Sequence, residues 1–262
     1  MKPLVLIRGA GDIASGIALR LHHAGMRIVM CEVASPTAIR RTVAFSEAVR
    51  QGKTRVEDVT AVLCTDPAEA LNTANNGTIA VLTDPDAACR KELLPDVLVD
   101  AILAKKNTGT AITDAKVVIG VGPGFTAGKD CHACIETQRG HFLGRVLYEG
   151  SPSANTGNPG DIAGFTSERL LRAPADGVFR TTHEIGDIVK AGERVATVNE
   201  VPLTAQISGI LRGLLPDGTA VTRGFKCGDV DPRGERSYCH SVSDKALAIG
   251  GGVLEAICKW MD

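Results

Sequence analysis

Aromatic residues are scarce in this chain of 262 residues, which contains one Trp, two Tyr and six Phe. So few rings provide no stacking platform of the kind that binds single-stranded nucleic acids. A surplus of one charge is also lacking, because 29 basic and 30 acidic residues give a formal net charge of −1. A balanced charge argues against electrostatic attraction to nucleic acid or to an anionic membrane. We therefore expect neither as a partner.

Long hydrophobic runs are absent as well, and no stretch approaches the ~20 apolar residues that span a bilayer. The apolar run Leu4–Ile7 ends at Arg8-Gly9 and is too short for the core of a secretory signal. The eight cysteines are expected to be reduced thiols, several of them, among them Cys31 and Cys89, small buried hydrophobic residues within apolar runs. Together these features predict a cytoplasmic protein.

Over residues 1–166, buried strands alternate with helices. Apolar segments typical of strands lie at Leu4–Arg8, Arg27–Val33, Val59–Cys64, Ile79–Thr83, Val97–Ile102 and Val117–Val121, and helical spacing occurs at Ile13–Ala24, Ala38–Gln51 and Asp66–Ala74. Strands buried on both faces that alternate with helices indicate a parallel sheet with right-handed crossovers. The predicted fold class is therefore α/β, with a Rossmann-like nucleotide- or cofactor-binding domain.

Residues 167–242 have a different character, with short strands separated by Gly and Pro. Gly177-Val178 recurs 32 residues later as Gly209-Ile210, and further turn glycines keep the same offset. Two half-barrels packed on each other would leave such a repeat. This part resembles a biotinyl/lipoyl-type barrel-sandwich module, but the hairpin at 199–205 lacks the acceptor lysine. We expect a helix at 243–260 to pack on the first domain, with its Gly250–Gly252 run indicating close packing or a break.

The first glycine-rich loop follows the first strand and opens the first helix. Its small residues allow a backbone to approach a pyrophosphate, and Glu32, at the end of the second strand, is placed to hydrogen-bond a ribose diol. A tight turn that binds no ligand stays as the alternative. The predicted cofactor-binding residues here are Gly9, Ala10, Gly11, Asp12, Ile13 and Glu32.

A second glycine-rich loop adds Gly122 and Gly124 to the predicted cofactor-binding residues. It is followed by Cys131-His132-Ala133-Cys134. We predict a nucleophilic or carrier thiolate at Cys131 assisted by His132, because nearby cations and loop amides lower a thiol pKa. An incidental cysteine in a strand is the alternative. No second metal-binding pair occurs at suitable spacing, so no metal site is predicted.

Taken together, several segments resemble the YqeB-like accessory proteins of the selenium-dependent molybdenum hydroxylase system, which are related to XdhC-type maturation factors. The segments are Arg8–Gly16, Ala38–Val49, Asp100–Asn107, Gly122–Gly128 with Asp130–Ala133, Gly228–Gly234 and Ser243–Gly252. The resemblance implies a maturation factor that binds a molybdopterin dinucleotide and helps selenium or sulfur insertion, with the hydroxylase and other maturation proteins as partners and a possible homo-oligomer. An NAD(P)-dependent oxidoreductase and a partner-docking protein without a ligand are the alternatives.

Overall fold

The computed structural model describes residues 2–157 and 159–260. The chain divides into two compact units. Unit 1 comprises the described residues of 1–36, 44–156 and 242–262, and unit 2 comprises residues 37–43 and the described residues of 157–241. The domains predicted from the sequence were 1–166 and 167–242, with the last helix on the first domain. Among the described residues, no helix has the length and apolar character needed to cross a membrane.

Unit 1 is built on a nine-stranded sheet in the order β3-β4-β5-β2-β1-β6-β7-β8-β9. The strands are β1 (Leu4–Arg8), β2 (Arg27–Glu32), β3 (Lys53–Val56), β4 (Val59–Cys64), β5 (Ile79–Thr83), β6 (Val97–Asp100), β7 (Val117–Val121), β8 (Ala133–Ile135) and β9 (Val146–Leu147). β1 is buried at every residue, as expected of a central strand covered on both faces.

Five α-helices accompany the strands in the described residues. They are α1 (Asp12–His23), α2 (Ala48–Gln51), α3 (Pro67–Asn75), α4 (Arg90–Leu93) and α5 (Asp244–Trp260). α3 begins where local chemistry predicts, because the Asp66 side chain accepts the Glu69 N–H at 2.9 Å and Pro67 occupies the first turn.

The sheet of unit 1 corrects the predicted all-parallel arrangement. β3 pairs antiparallel with β4, and β9 pairs antiparallel with β8, so both edges of the sheet are antiparallel. Only two residues separate β3 and β4, which is too short for the crossover that parallel neighbours need. The sheet is therefore mixed.

The predicted helix at Ala38–Gln51 is also wrong. Two short 3-10 turns and the four-residue α2 replace it. Residues 37–43 belong to unit 2, where the Ile39 carbonyl accepts the N–H of Leu214 at 2.8 Å. Because this long-range bond uses a backbone group that a helix would need, tertiary pairing overrides the local spacing.

Unit 2 contains two separate four-stranded antiparallel sheets, ordered β10-β17-β15-β12 and β14-β13-β11-β16. Their strands are β10 (Leu170–Arg172), β11 (Gly177–Arg180), β12 (Ile188–Val189), β13 (Arg194–Val198), β14 (Val201–Thr204), β15 (Gly209–Leu214), β16 (Ala220–Val221) and β17 (Lys226–Asp231). The 32-residue repeat relates β11 to β15 and β12 to β16, and each copy pairs with the other, β11 with β16 and β12 with β15.

The fold class is thus corrected to a mixed nine-stranded sheet with helices and a second unit of two antiparallel sheets. The prediction of a Rossmann-like parallel sheet with a biotinyl/lipoyl-like barrel-sandwich is wrong as stated. Local apolar patterns identified most strands, but a pattern of buried strands does not specify the direction of an edge strand or the way in which two sheets associate.

The C-terminal helix α5 is continuous through its three glycines and belongs to unit 1. A methyl group on Gly252 would collide with the carbonyl oxygen of Gly144, whereas one on Gly251 would meet no atom within 4 Å. On the facing helix α1, a methyl on Gly16 would lie 2.5 Å from Ala246 Cβ. Glycine at 16 and 252 therefore permits close packing, and Gly251 has no such role.

Replacing Gly252 by Ala should destabilise the protein by about 1–3 kcal/mol, because the added methyl overpacks a filled contact. Gly251→Ala is the matched control and should be neutral or stabilise by up to about 1 kcal/mol, the helix-propensity gain of Ala over Gly. Urea unfolding of both variants measures the difference. Equal stabilisation by the two substitutions would contradict the close packing of α5.

Candidate functional site

The first glycine-rich loop, residues 9–13, lies at the carboxyl end of β1. Gly9 has a left-handed φ of 95°, and a methyl there would approach the Ala101 carbonyl oxygen to 3.0 Å. Its N–H donates to the Cys31 carbonyl at 2.8 Å. Gly9 is therefore required by the turn itself.

Gly11 has a different environment, although it lies only two residues later. It is the N-cap residue of α1 in an extended conformation, and a methyl on it would meet no atom within 4 Å. The side chain of Asp12 accepts the N–H of Ile13 at 2.9 Å. The amino terminus of α1 thus faces open space at Gly11.

Glu32 anchors this loop from the end of β2. One carboxylate oxygen accepts the Ala10 N–H at 2.9 Å, and the other accepts the Val33 N–H at 2.8 Å. A carboxylate has about four lone-pair sites, so each oxygen keeps acceptor capacity beyond these bonds. The role of Glu32 as a ribose ligand stays a prediction. The structure shows that its carboxylate also holds the loop in place through the Ala10 N–H.

Lys245, a half-buried residue at the start of α5, interacts electrostatically with Asp12 of this loop. Burial lowers the pKa of Lys245, and the neighbouring Arg139 adds to that shift. The carboxylates of Asp12 and Glu136 oppose it, which places both within electrostatic reach of the ammonium. Sequence reasoning missed Lys245 because it lies more than 200 residues away from the loop.

A buried ion pair joins the ends of β1 and β6 beside this loop. Arg8 Nη1 lies 3.0 Å from Asp100 Oδ2 and 2.5 Å from Thr110 Oγ1, and Thr110 also donates to Asp100 at 2.6 Å. All three side chains are buried. Removing one partner of such a network would leave a buried charge without compensation. These residues therefore hold the carboxyl ends of β1 and β6 together.

The second glycine-rich loop is shaped by close packing. Gly122 and Gly124 have left-handed φ values of 85° and 107°. A methyl on Gly122 would reach Thr137 Oγ1 at 3.0 Å, and one on Gly124 would approach the Lys106 backbone to 2.5 Å. These contacts account for both glycines, and the cofactor-binding role of the pair stays a prediction.

Cys131 and Cys134 are both completely buried, with their sulfur atoms 3.4 Å apart. The contact with Cys134 lowers the pKa of Cys131, and the same contact raises the pKa of Cys134. His132 Nδ1 accepts the Val118 N–H at 3.0 Å, and its ring packs edge-on against Trp260. A catalytic role for Cys131 and His132 stays a prediction, and a reactant would reach the thiol only after the covering groups move.

A cavity of about 520 Å³ lies at the carboxyl ends of β4 and β5. The sequence analysis did not identify it. Its lining includes Cys64, Asp66, Asp84, Cys89 and Glu92. The signal that could have found it is positional, because Cys64 ends β4 and Asp84 follows β5, and ligands of open α/β sheets bind at the carboxyl ends of strands.

Comparison with known proteins gives one close sequence relative and several distant structures. No family model matches the chain. The chain is 56% identical over 258 residues to "Uncharacterized protein YqeB" of Escherichia coli (strain K12), a match that covers 98% of this chain and 48% of that protein. The chain therefore spans about half the length of this curated relative. The predicted likeness to YqeB is confirmed, but nothing in this match connects the chain with the selenium-dependent system.

Two of the solved structures found are titled as an aspartoacylase family protein from Mesorhizobium loti and a succinylglutamate desuccinylase/aspartoacylase from Rhodobacter sphaeroides. They are 13% and 16% identical to the chain, with TM-scores of 0.27 and 0.26. Each match covers 87% of this chain, and 84% and 85% of the two solved chains. With TM-scores this low, the activities named in the two titles are not assigned to this chain.

These findings correct two predictions. The fold class is corrected by the sheet topology described above, and the structures found are named as acylase and desuccinylase proteins and not as dinucleotide-binding or biotinyl/lipoyl-type proteins. The predicted maturation factor for a molybdenum hydroxylase is corrected to no assigned activity, because neither the relative nor the structures found carry a name of that kind, and the alternative NAD(P)-dependent oxidoreductase is not supported either. The predicted cofactors and partner proteins stay predictions. The chain is similar to YqeB over nearly its whole length, and its function must be argued from its own residues.

Proposed function

We propose that unit 1 binds a phosphate-bearing small molecule of the dinucleotide class at the loop of residues 9–13. The observation that carries this proposal is the open space in front of Gly11 at the amino terminus of α1. Gly9 is a glycine for steric reasons of its own, whereas the lack of a side chain at Gly11 leaves room that no atom of the described residues fills.

Electrostatics support an anion at this position. α1 is a helix of 12 residues, and the first-turn N–H groups of a helix carry a partial positive charge that favours phosphate. Asp12 would repel a phosphate if it stood alone. The half-buried Lys245 lies within electrostatic reach of Asp12, so its ammonium offsets that carboxylate.

Glu32 supports a ribose next to the phosphate. Its carboxylate is held against the loop by the Ala10 N–H and keeps acceptor capacity for a diol. A carboxylate in this position favours a free 2′-hydroxyl over a 2′-phosphate. NAD(P) and a molybdopterin dinucleotide, the two ligands that the sequence suggested, share the diphosphate and ribose that this arrangement would recognise, and the proposal concerns those shared groups.

Gly11→Val should weaken binding of NAD⁺ by at least about tenfold, or about 1.4 kcal/mol, because the side chain fills the space in front of the helix. Isothermal titration calorimetry with NAD⁺, NADP⁺ and ADP measures the effect. The extended backbone of residue 11 accepts a β-branched residue without strain, so the variant should fold. Gly251→Ala, which also points into open space, is the control and should bind as the wild type does. Unchanged affinity in Gly11→Val, or no binding of any probe to the wild type, would refute the proposal.

Lys245→Gln should weaken binding of the same probes several-fold and reduce the dependence of affinity on salt, because the Asp12 carboxylate then repels the phosphate without the opposing charge of the ammonium. Lys259→Gln is the matched control on the same helix, since the Lys259 ammonium packs over the ring of Tyr148 at 3.5 Å. Titrations at low and high salt separate the two variants. An equal loss of affinity in both would show that the charge of α5 as a whole, and not Lys245, is responsible.

A further inference from the structure

Three metal-ligating side chains meet on unit 1 away from the glycine-rich loops. Cys31 lies near the end of β2, Asp84 follows β5, and Cys89 directly precedes α4. The two sulfur atoms are 3.5 Å apart. Donor atoms of all three side chains lie within 4.8 Å of one another. We refer to these residues as the Cys31–Asp84–Cys89 cluster.

The backbone fixes the positions of these three residues. β2 and β5 are parallel neighbours, and the Asp84 N–H donates to the Glu32 carbonyl at 3.0 Å, which places Asp84 beside the end of β2. The segment after Asp84 then folds back, because the Ala87 N–H donates to the Asp84 carbonyl and the Cys89 N–H donates to the Asp84 carboxylate at 2.8 Å. The donors are therefore brought together by sheet pairing and a tight turn.

The donor set matches a divalent cation of the zinc type. Thiolate and carboxylate are both ordinary zinc ligands, and a Zn–S bond of about 2.3 Å in tetrahedral geometry separates two sulfurs by roughly 3.8 Å. The observed sulfur separation of 3.5 Å is close to this value. We propose that Cys31, Asp84 and Cys89 bind Zn²⁺, a site independent of the proposed ligand at Gly11.

Binding releases two protons to solvent, because both thiols become thiolates and Asp84 binds as its carboxylate. The charge of the loaded cluster is then −1, from two thiolates, one carboxylate and one divalent cation. Arg8 lies close to it, since its Nη2 donates to the carbonyl of Pro85 at 3.3 Å and its charge acts on Cys31. The guanidinium therefore supplies positive charge next to the cluster.

The fourth coordination position would face the cavity. Asp84 and Cys89 both line this space of about 520 Å³. Three protein ligands with an open fourth position are typical of zinc sites that exchange water or a small ligand, whereas closed structural sites supply four protein ligands. The geometry therefore assigns an open zinc site in which a water or a small anionic ligand from the cavity completes the tetrahedron.

The chain contains its own control for this assignment. Cys131 and Cys134 are equally buried and their sulfurs are 3.4 Å apart. Within 2–157 and 159–260, however, the Cys31–Asp84–Cys89 cluster is the only group that brings three such donors within 4.8 Å. Two close thiols are thus present in both places, and only one place has the third ligand.

Titration of the reduced, chelator-treated full chain with Co²⁺ and then Zn²⁺ tests the proposal. The wild type should bind about one Co²⁺ per chain with a sulfur-to-cobalt charge-transfer band, and Zn²⁺ should abolish the band. Cys31→Ser and Cys89→Ser should lose the band. Asp84→Asn, which keeps an oxygen acceptor for the Cys89 N–H, should lower Zn²⁺ affinity at least about tenfold, since even an outer-shell change costs that much.

Cys131→Ser is the matched control and should keep the band and the stoichiometry of the wild type. Circular dichroism of each variant identifies any that fails to fold, and Asp84→Asn, at a half-buried position, keeps the test valid if a serine variant is lost. Absence of Co²⁺ and Zn²⁺ binding in the wild type would overturn the proposal. Unchanged affinity in Asp84→Asn, or loss of the band in Cys131→Ser, would also overturn it.

Discussion

Parallel pairing of buried strands is the constraint on which the candidate sites depend. β4, β5, β2, β1, β6, β7 and β8 all run in the same direction. Their carboxyl ends therefore lie along one edge of the sheet, and the loops that leave them converge there. The glycine-rich loop after β1, the acid that ends β2 and the turn after β5 are distant in sequence but close in space for this reason. The buried pair of Arg8 and Asp100 joins two of these strand ends.

The two-residue period of a strand separates the two proposed sites at this edge. Neighbouring residues on a strand point to opposite faces of the sheet. Glu32 reaches the Ala10 N–H in front of α1, whereas Cys31 contacts the Cys89 sulfur. One strand end thus contributes to the proposed phosphate site on one face and to the proposed metal site on the other. The two ligands can therefore bind without sharing a protein side chain.

Local patterns in the sequence predict the centre of the sheet well, because strands buried on both faces are continuous apolar runs such as Leu4–Arg8. The same patterns fail at Ala38–Gln51, where the pairing of Ile39 with Leu214 overrides the helical spacing. The direction of the edge strands could not be predicted either, since it depends on pairing and not on composition.

In the candidate site, too, local features could be predicted from the sequence and long-range contacts could not. The glycine spacing of the first loop and the acid at residue 32 are visible in the sequence because they lie within one βαβ segment. Lys245 is far away along the chain, and only the packing of α5 within unit 1 brings it within electrostatic reach of Asp12. Cys31 and Cys89 have no recognisable ligand spacing, so the sequence suggested two buried hydrophobic residues and no metal site. Contacts between distant segments carry no short-range signal.

The central claim is that this one sheet edge holds two separate ligand sites, and backbone amide chemical-shift mapping of the reduced protein tests it most directly. NAD⁺ should shift the amides of Gly11, Ile13 and Ala14 most strongly and in a saturable manner, because they lie at the amino terminus of α1. Zn²⁺ should instead shift the amides of Asp84, of residues 86–89 and of Cys31. Saturable shifts that centre on any other part of the chain, or identical maps for the two ligands, would contradict the account.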